Sequence, residues 1–93
     1  MAMGARKDLE LMFLHDKPAR IITKLKGLKK YASILAKEAD CTYSHCVRIL
    51  QDMKKLGLVE FEKKGRIKHV ILTKFGEEIA HSMEGIYISF DKL

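Results

Sequence analysis

The chain has no tryptophan, one proline and only two cysteines, Cys41 and Cys46. Two thiols so few and so close cannot make the disulfide framework of a small secreted domain, and both stand where a helical pattern asks for an apolar side chain. No apolar run approaches the roughly 20 residues that a bilayer span needs, and the N-terminus lacks a charged-then-apolar leader pattern. A cytoplasmic protein is the expectation. There is no glycine-rich phosphate loop and no nucleophile motif in its required context, and His15, His69 and His81 have no fixed carboxylate or nucleophile partner. No enzyme and no cofactor is implied. A chain of 93 residues forms one domain, burying roughly 60% of its unfolded surface but housing no deep catalytic cleft.

Positive charge is abundant: 18 Lys and Arg stand against 12 Asp and Glu, for a net charge of +6. It is unevenly spread. Residues 17–30 hold six bases and no acid, residues 31–72 eight bases and five acids, and residues 73–93 two bases and four acids. Such a balance is compatible with a polyanionic partner without requiring one.

The stretch 42–57 organises the rest. Thr42 is a good N-cap, because its hydroxyl accepts from an unpaired N–H of the first turn, and Gly57 supplies the left-handed residue that ends a helix. Between them Cys46, Ile49, Leu50, Met53 and Leu56 recur at helical spacing as one apolar stripe. The opposite face carries Tyr43, Ser44, Val47, Arg48, Gln51 and Lys55, with Asp52 alone as an acid near its edge.

Around this helix the chain reads in order. Residues 1–16 fit either a strand or a helix, and a short helix is expected. Asp16 or Lys17 before Pro18 marks a helix start, Ile21, Ile22 and Leu25 face inward, and Gly27 stops it. Tyr31 and Ala32 fit a short strand, after which Ser33 caps a helix that turns Ile34, Leu35 and Ala39 inward. Asp40 and Cys41 form a very short turn into the helix at 42. Residues 58–63 alternate as a strand, Lys64-Gly65 reads as a tight turn, and residues 66–72 return as a second strand. Thr73 caps a last helix with Phe75, Ile79, Met83 and Ile86 or Tyr87 along one side, and Glu77 and Glu78 in first turns where the helix dipole favours acids.

Helix, helix, turn, helix, basic hairpin, helix is the order of a winged helix-turn-helix. The run Ile34-Leu35-Ala36-Lys37-Glu38-Ala39-Asp40-Cys41-Thr42-Tyr43-Ser44, through Arg48, to Lys55-Leu56-Gly57-Leu58-Val59 resembles the MarR-type and broader archaeal and bacterial winged-helix regulators. Leu72-Thr73-Lys74-Phe75-Gly76-Glu77-Glu78 resembles their junction from wing to helix, and the likeness covers residues 18–84. Asp40 replaces their usual turn glycine, a tolerable change because Asp enters left-handed backbone angles more readily than most residues. The wing turn is shorter than theirs, and their long first and last dimerisation helices have no counterpart, so a small winged-helix regulator is the expected type. What the resemblance implies is an α+β, mostly α fold: a single domain, 1–93, with an N-terminal segment (1–16), core helices and a two- or three-stranded β-wing (18–72), and a C-terminal helix (73–90).

It also implies double-stranded DNA as partner. A recognition helix at 42–56 fits the major groove, where Tyr43, Ser44, Val47 and Arg48 lie nearest the bases and Thr42 begins the helix. Arg48 can bond guanine bidentately, Ser44 a base or phosphate, Val47 a thymine methyl, and Gln51 an adenine or phosphate. The wing, residues 63–68, would place Arg66 in the minor groove and Lys64 and Lys68 on phosphates. Lys17, Arg20, Lys29 and Lys30 are further phosphate candidates, whereas Lys24 and Lys26 read as solvent charge. Each has a plain alternative, a solvated helix face or a hairpin tip charged for solubility.

Cys41, His45 and Cys46 are close enough to suggest zinc, but Cys46 belongs to the core stripe and points about 100° from His45 on a helix, so no metal site is expected. A redox-sensing thiol would need exposure and a low pKa. The competing functions are a winged helix used for protein contacts in a transcription, replication or RNA-handling assembly, and a nonspecific chromatin or RNA binder. A homodimer is expected, because Ile86, Tyr87, Ile88 and Phe90 at one end and Leu9, Leu11, Met12 and Phe13 at the other exceed what one small lobe covers. The alternative is that the two ends cover each other within one chain. Operator and small-molecule effector are not named by the sequence.

Overall fold

A computed structural model describes residues 2–93. Five helices, α1 (Ala2–Phe13), α2 (Asp16–Lys24), α3 (Ala32–Glu38), α4 (Tyr43–Lys55) and α5 (Lys74–Phe90), surround strands β1 (Lys30–Tyr31), β2 (Val59–Lys64) and β3 (Ile67–Leu72). The antiparallel sheet has the order β1-β3-β2, with Phe61 opposite Val70, Glu62 opposite His69, and Tyr31 on the other side of His69. Ile21, Ile22 and Leu25 of α2, Leu35 of α3, Leu50 and Met53 of α4, and Leu58 and Val59 entering β2 are buried in one core. The mostly helical α+β expectation holds.

Local chemistry sets the boundaries. Thr42 caps α4 by accepting from the His45 N–H at 3.2 Å. Gly57 follows the helix at φ 77°, a conformation that costs glycine little. Asp40 takes φ 56° in the α3–α4 turn, the left-handed geometry expected of it. Thr73 caps α5, its hydroxyl accepting from the Gly76 N–H at 3.0 Å.

That hydroxyl also donates to the Gly57 carbonyl at 2.5 Å, while the Thr73 N–H donates to the Leu58 carbonyl at 3.0 Å. The end of α4, the start of β2, the end of β3 and the start of α5 therefore meet at one residue. Gly76 lets α5 come in close, since a Cβ there would overlap the Leu58 carbonyl oxygen.

Several sequence expectations need correction. The cap of α3 is Tyr31 rather than Ser33, without a side-chain bond, and Ser33 lies inside the helix. The strand before it is Lys30–Tyr31, one residue earlier than expected. Ile34 is 41% exposed, and Ala36 takes the inward place beside Leu35 and Ala39. The start of α2 needs no correction: the helix begins at Asp16 as expected, with His15 as its cap residue and Pro18 in the first turn, where its missing N–H costs nothing. The hairpin turn is Gly65-Arg66, because Lys64 still pairs with Ile67, and only Gly65 of the two has positive φ. On α5 the deepest positions are Gly76 and Ala80; Phe75 is 40% exposed. At the N-terminus Leu9, Met12 and Phe13 pack against the core, leaving Leu11 as the exposed one of the four.

The two glycines of α5 make a paired test. Gly76→Ala should destabilise by about 1–3 kcal/mol through the clash with Leu58, although Ala is the better helix former. Gly85→Ala, where added bulk meets nothing within 4 Å, should stabilise by up to about 1 kcal/mol. Denaturant melts of both variants check this; equal effects would contradict the close approach.

Candidate nucleic-acid interface

The side of α4 away from the core presents Tyr43, 59% exposed, with Ser44, Arg48 and Gln51 also exposed. Its buried side, Cys46, Ile49, Leu50 and Met53, fixes the helix rotation, so the outward residues are held by the core rather than by their own contacts. Thr42 is exposed, with its acceptor lone pair committed to the helix cap. Val47 is half-buried and faces the sheet, lining a hollow of about 260 Å³ with Tyr43, Gln51, Phe61, Lys68 and Val70.

The hairpin places Lys63, Lys64 and Arg66 at an exposed tip. Lys68 is exposed but not loose, for its Nζ sits 4.2 Å from the centre of the Phe61 ring. Lys54 of α4 reaches the same ring at 5.2 Å. Neither Lys54 nor Phe61 is marked out by the sequence. Alternation in β2 put Phe61 on one sheet face with Val59, but nothing in the sequence placed the end of α4 over that face.

The basic residues fall into two groups. Those of α2 and the following loop, Lys24 excepted, are tied to acids: Lys26 to Glu84 at 2.6 Å, Lys29 to Glu62 at 3.1 Å, Lys30 to Glu38 at 2.6 Å, and Lys17 and Arg20 to Asp16 at 3.8 and 3.7 Å. Lys26 is thus not plain solvent charge; it joins the loop after α2 to α5, with His81 Nδ1 also 3.1 Å away. Its hydrogen bond and charge hold the Glu84 carboxyl below the usual carboxylate range, as Lys29 does for Glu62. Among the described residues no carboxylate lies within 4.0 Å of Arg48, Lys54, Lys55, Lys63, Lys64, Arg66 or Lys68. Seven of the twelve bases without such a partner lie on α4 and the wing; the other five, Lys7, Lys24, Lys37, Lys74 and Lys92, are scattered over the remaining elements.

Behind α4, a hollow of about 680 Å³ opens toward α1 and the start of α2, floored by Leu11, Met12, Pro18, Ile49 and Leu56. Its rim mixes signs, with Lys17, Arg48 and Lys55 beside Asp8, Asp16 and Asp52. No group of three or more metal-ligating side chains occurs among the described residues, and none of their helices is long and apolar enough to cross a membrane. Cys46 is buried, its thiol donating to the Ala32 carbonyl at 3.6 Å. Burial first, and the neighbouring Cys41 second, push that thiol up to about 12. It is a core contact between α4 and the start of α3.

No protein-family model matches the chain, and no curated protein matches it in sequence. Solved structures do match its fold. AF1382 from Archaeoglobus fulgidus superposes with a TM-score of 0.72 at 24% identity, over 80% of this chain and 87% of that one. The MarR family transcriptional regulator SPO1453 from Silicibacter pomeroyi gives 0.78 at 24% identity, over 84% of this chain and 57% of the regulator, so the chain spans little more than half that protein's length. The homodimeric winged helix-turn-helix DNA-binding domain of Mb0332 from Mycobacterium bovis gives 0.73 at 16% identity, over 98% and 82%. The chain has the winged helix-turn-helix fold of MarR- and ArsR-type structures, with α3 and α4 as the helix-turn-helix and β2–β3 as the wing.

The Cys46 environment has two consequences. A thiol reagent near pH 8 should label half-buried Cys41 and leave Cys46 unmodified in the folded protein; equal labelling would contradict the core assignment. Because the folded thiol titrates near 12 and the unfolded one near 9.0, the unfolded state loses its proton first. The stability from the protonated thiol is therefore full below pH 9 and declines from there toward 12. Cys46→Ser should flatten that alkaline decline while costing about 1–3 kcal/mol at neutral pH.

Proposed function

We propose that the chain binds double-stranded DNA sequence-specifically, as a transcriptional regulator, with α4 in the major groove and the β2–β3 wing over the adjacent minor groove or backbone. One observation supports this reading: among the described residues, seven of the twelve bases without a carboxylate partner lie on the two elements that a winged helix presents to DNA, while Lys17, Arg20, Lys26, Lys29 and Lys30 of α2 and its loop are spent on intramolecular acids. Thirteen residues make α4 about 20 Å long, a length suited to the major groove. Arg48 is the reader of guanine, Ser44 and Gln51 serve base or phosphate, and Tyr43 brings apolar contact to thymine, while Val47, turned toward the sheet, supports the helix from behind. Thr42 begins the helix, at the edge of the groove. Arg66 enters the minor groove, and Lys64 and Lys68 take phosphates.

One lobe offers few base contacts, and a two-fold pair reading half-sites about one helical turn apart multiplies them. The surface for pairing lies at the end of α5, where Ile86 is 46%, Ile88 54% and Phe90 59% exposed. Leu11, 52% exposed, and Leu14, 78%, extend the apolar surface at the end of α1. Homodimerisation covers side chains that a monomer would leave in water.

Selection on random duplexes followed by anisotropy titration tests the docking. Arg48→Ala should cost about 1–3 kcal/mol at the selected site and relax specificity, whereas Arg66→Ala or Lys64→Ala should weaken all duplexes and reduce the salt slope by about one unit. Unchanged binding in both Arg48→Ala and the doubled wing variant would overturn the proposal. For the dimer, sedimentation equilibrium at tens of micromolar should return twice the chain mass, and a form ending at Glu84 should be monomeric; a monomeric intact chain would refute it.

A further inference from the structure

We propose that Lys54 and Lys68, gathered over the ring of Phe61, clamp a single backbone phosphate of the duplex, with the adjoining hollow taking the sugar of that nucleotide. The clamp rests on the DNA-binding reading above and adds Lys54 and Phe61 to its working residues.

The two lysines come from different elements, the end of α4 and the start of β3, and converge on one half-buried ring at 5.2 and 4.2 Å from its centre. A cation over an aromatic face is held by the ring quadrupole. Two cations on one ring repel each other, and the arrangement gains most when an anion joins them. No carboxylate among the described residues does so. The reason is geometric. Glu60 and Glu62 alternate with Phe61 along β2 and so lie on the opposite sheet face, where Glu62 bonds Lys29. Asp52, two residues before Lys54, lines the hollow on the other side of α4.

The chemistry of the neighbouring space selects the anion. The hollow of about 260 Å³ beside Lys68 is walled by Tyr43, Val47, Leu50, Gln51, Phe61 and Val70, and no acid lines it. It is below the roughly 300–1,000 Å³ of pockets that enclose drug-sized ligands, and it opens between α4 and the wing. When a helix occupies the major groove and a wing the next minor groove, one sugar–phosphate ridge must pass between them. The cleft therefore meets a phosphodiester at its charged end and a deoxyribose along its apolar wall. Such a contact sets the register of α4 on the duplex and carries no sequence information itself.

A scan of single methylphosphonate linkages through a selected duplex tests this. Against the wild-type chain, neutralising the clamped phosphate should weaken binding; against the Lys54→Ala/Lys68→Ala double variant the same substitution should have no effect. The double variant should lose about one unit of salt slope and keep both its base preference and its melting temperature. Phe61→Leu, which retains apolar bulk but not the ring, should lose part of that slope. Either single lysine variant supports the same scan should the double variant melt early. If every linkage that matters to wild type matters equally to the variants, the clamp is absent, while sensitivity of those linkages and of Arg48→Ala keeps the DNA-binding reading intact. If the wild-type chain binds no duplex even at low salt, both fail together.

Discussion

The relation between α4 and the wing depends on one junction. Thr73 caps α5, donates through its hydroxyl to the Gly57 carbonyl, and pairs its N–H with the Leu58 carbonyl. Gly76 brings α5 against Leu58 from the other side. Helix, hairpin and final helix thereby share one fixed point, with Leu58 and Val59 fully buried beside it. The proposed DNA-binding surface is made of two elements and needs such a point, because a small misplacement of either removes contacts made by both.

Charge follows the same logic. By sequence Lys29 and Lys30 look suited to phosphate and Lys26 to solvent, yet each is within 3.1 Å of a carboxylate on another element. Exposed pairs of this kind contribute little stability. Their larger effect is on the field: they reduce positive potential on the α2 side relative to α4 and the wing.

Much of this was legible from residue types alone. Thr42, Thr73, Gly57 and Asp40 act locally, through hydroxyl capping and left-handed backbone, so their signals survive without tertiary knowledge. Ser33 misled because a good cap residue stood two positions too late, and Tyr31 caps α3 without a side-chain bond. Phe75 misled on α5 because hydropathy weights large residues, whereas the closest helix approach selects the smallest, Gly76 and Ala80. The wing turn was displaced by one residue, since a glycine at positive φ fits either turn position until the strand register is known. Pairs such as Lys26–Glu84, and the convergence of Lys54 and Lys68 on Phe61, join segments far apart in the chain and have no local signature.

The central claim is that α4 and the wing are read by DNA as one surface. Titration of the isotopically labelled chain with a selected duplex, followed by amide chemical shifts, tests it most directly. The account predicts the largest shifts at residues 42–51 and 63–68, with residues 84–90 near their free values. Shifts concentrated on residues 84–90, with α4 unmoved, would contradict it.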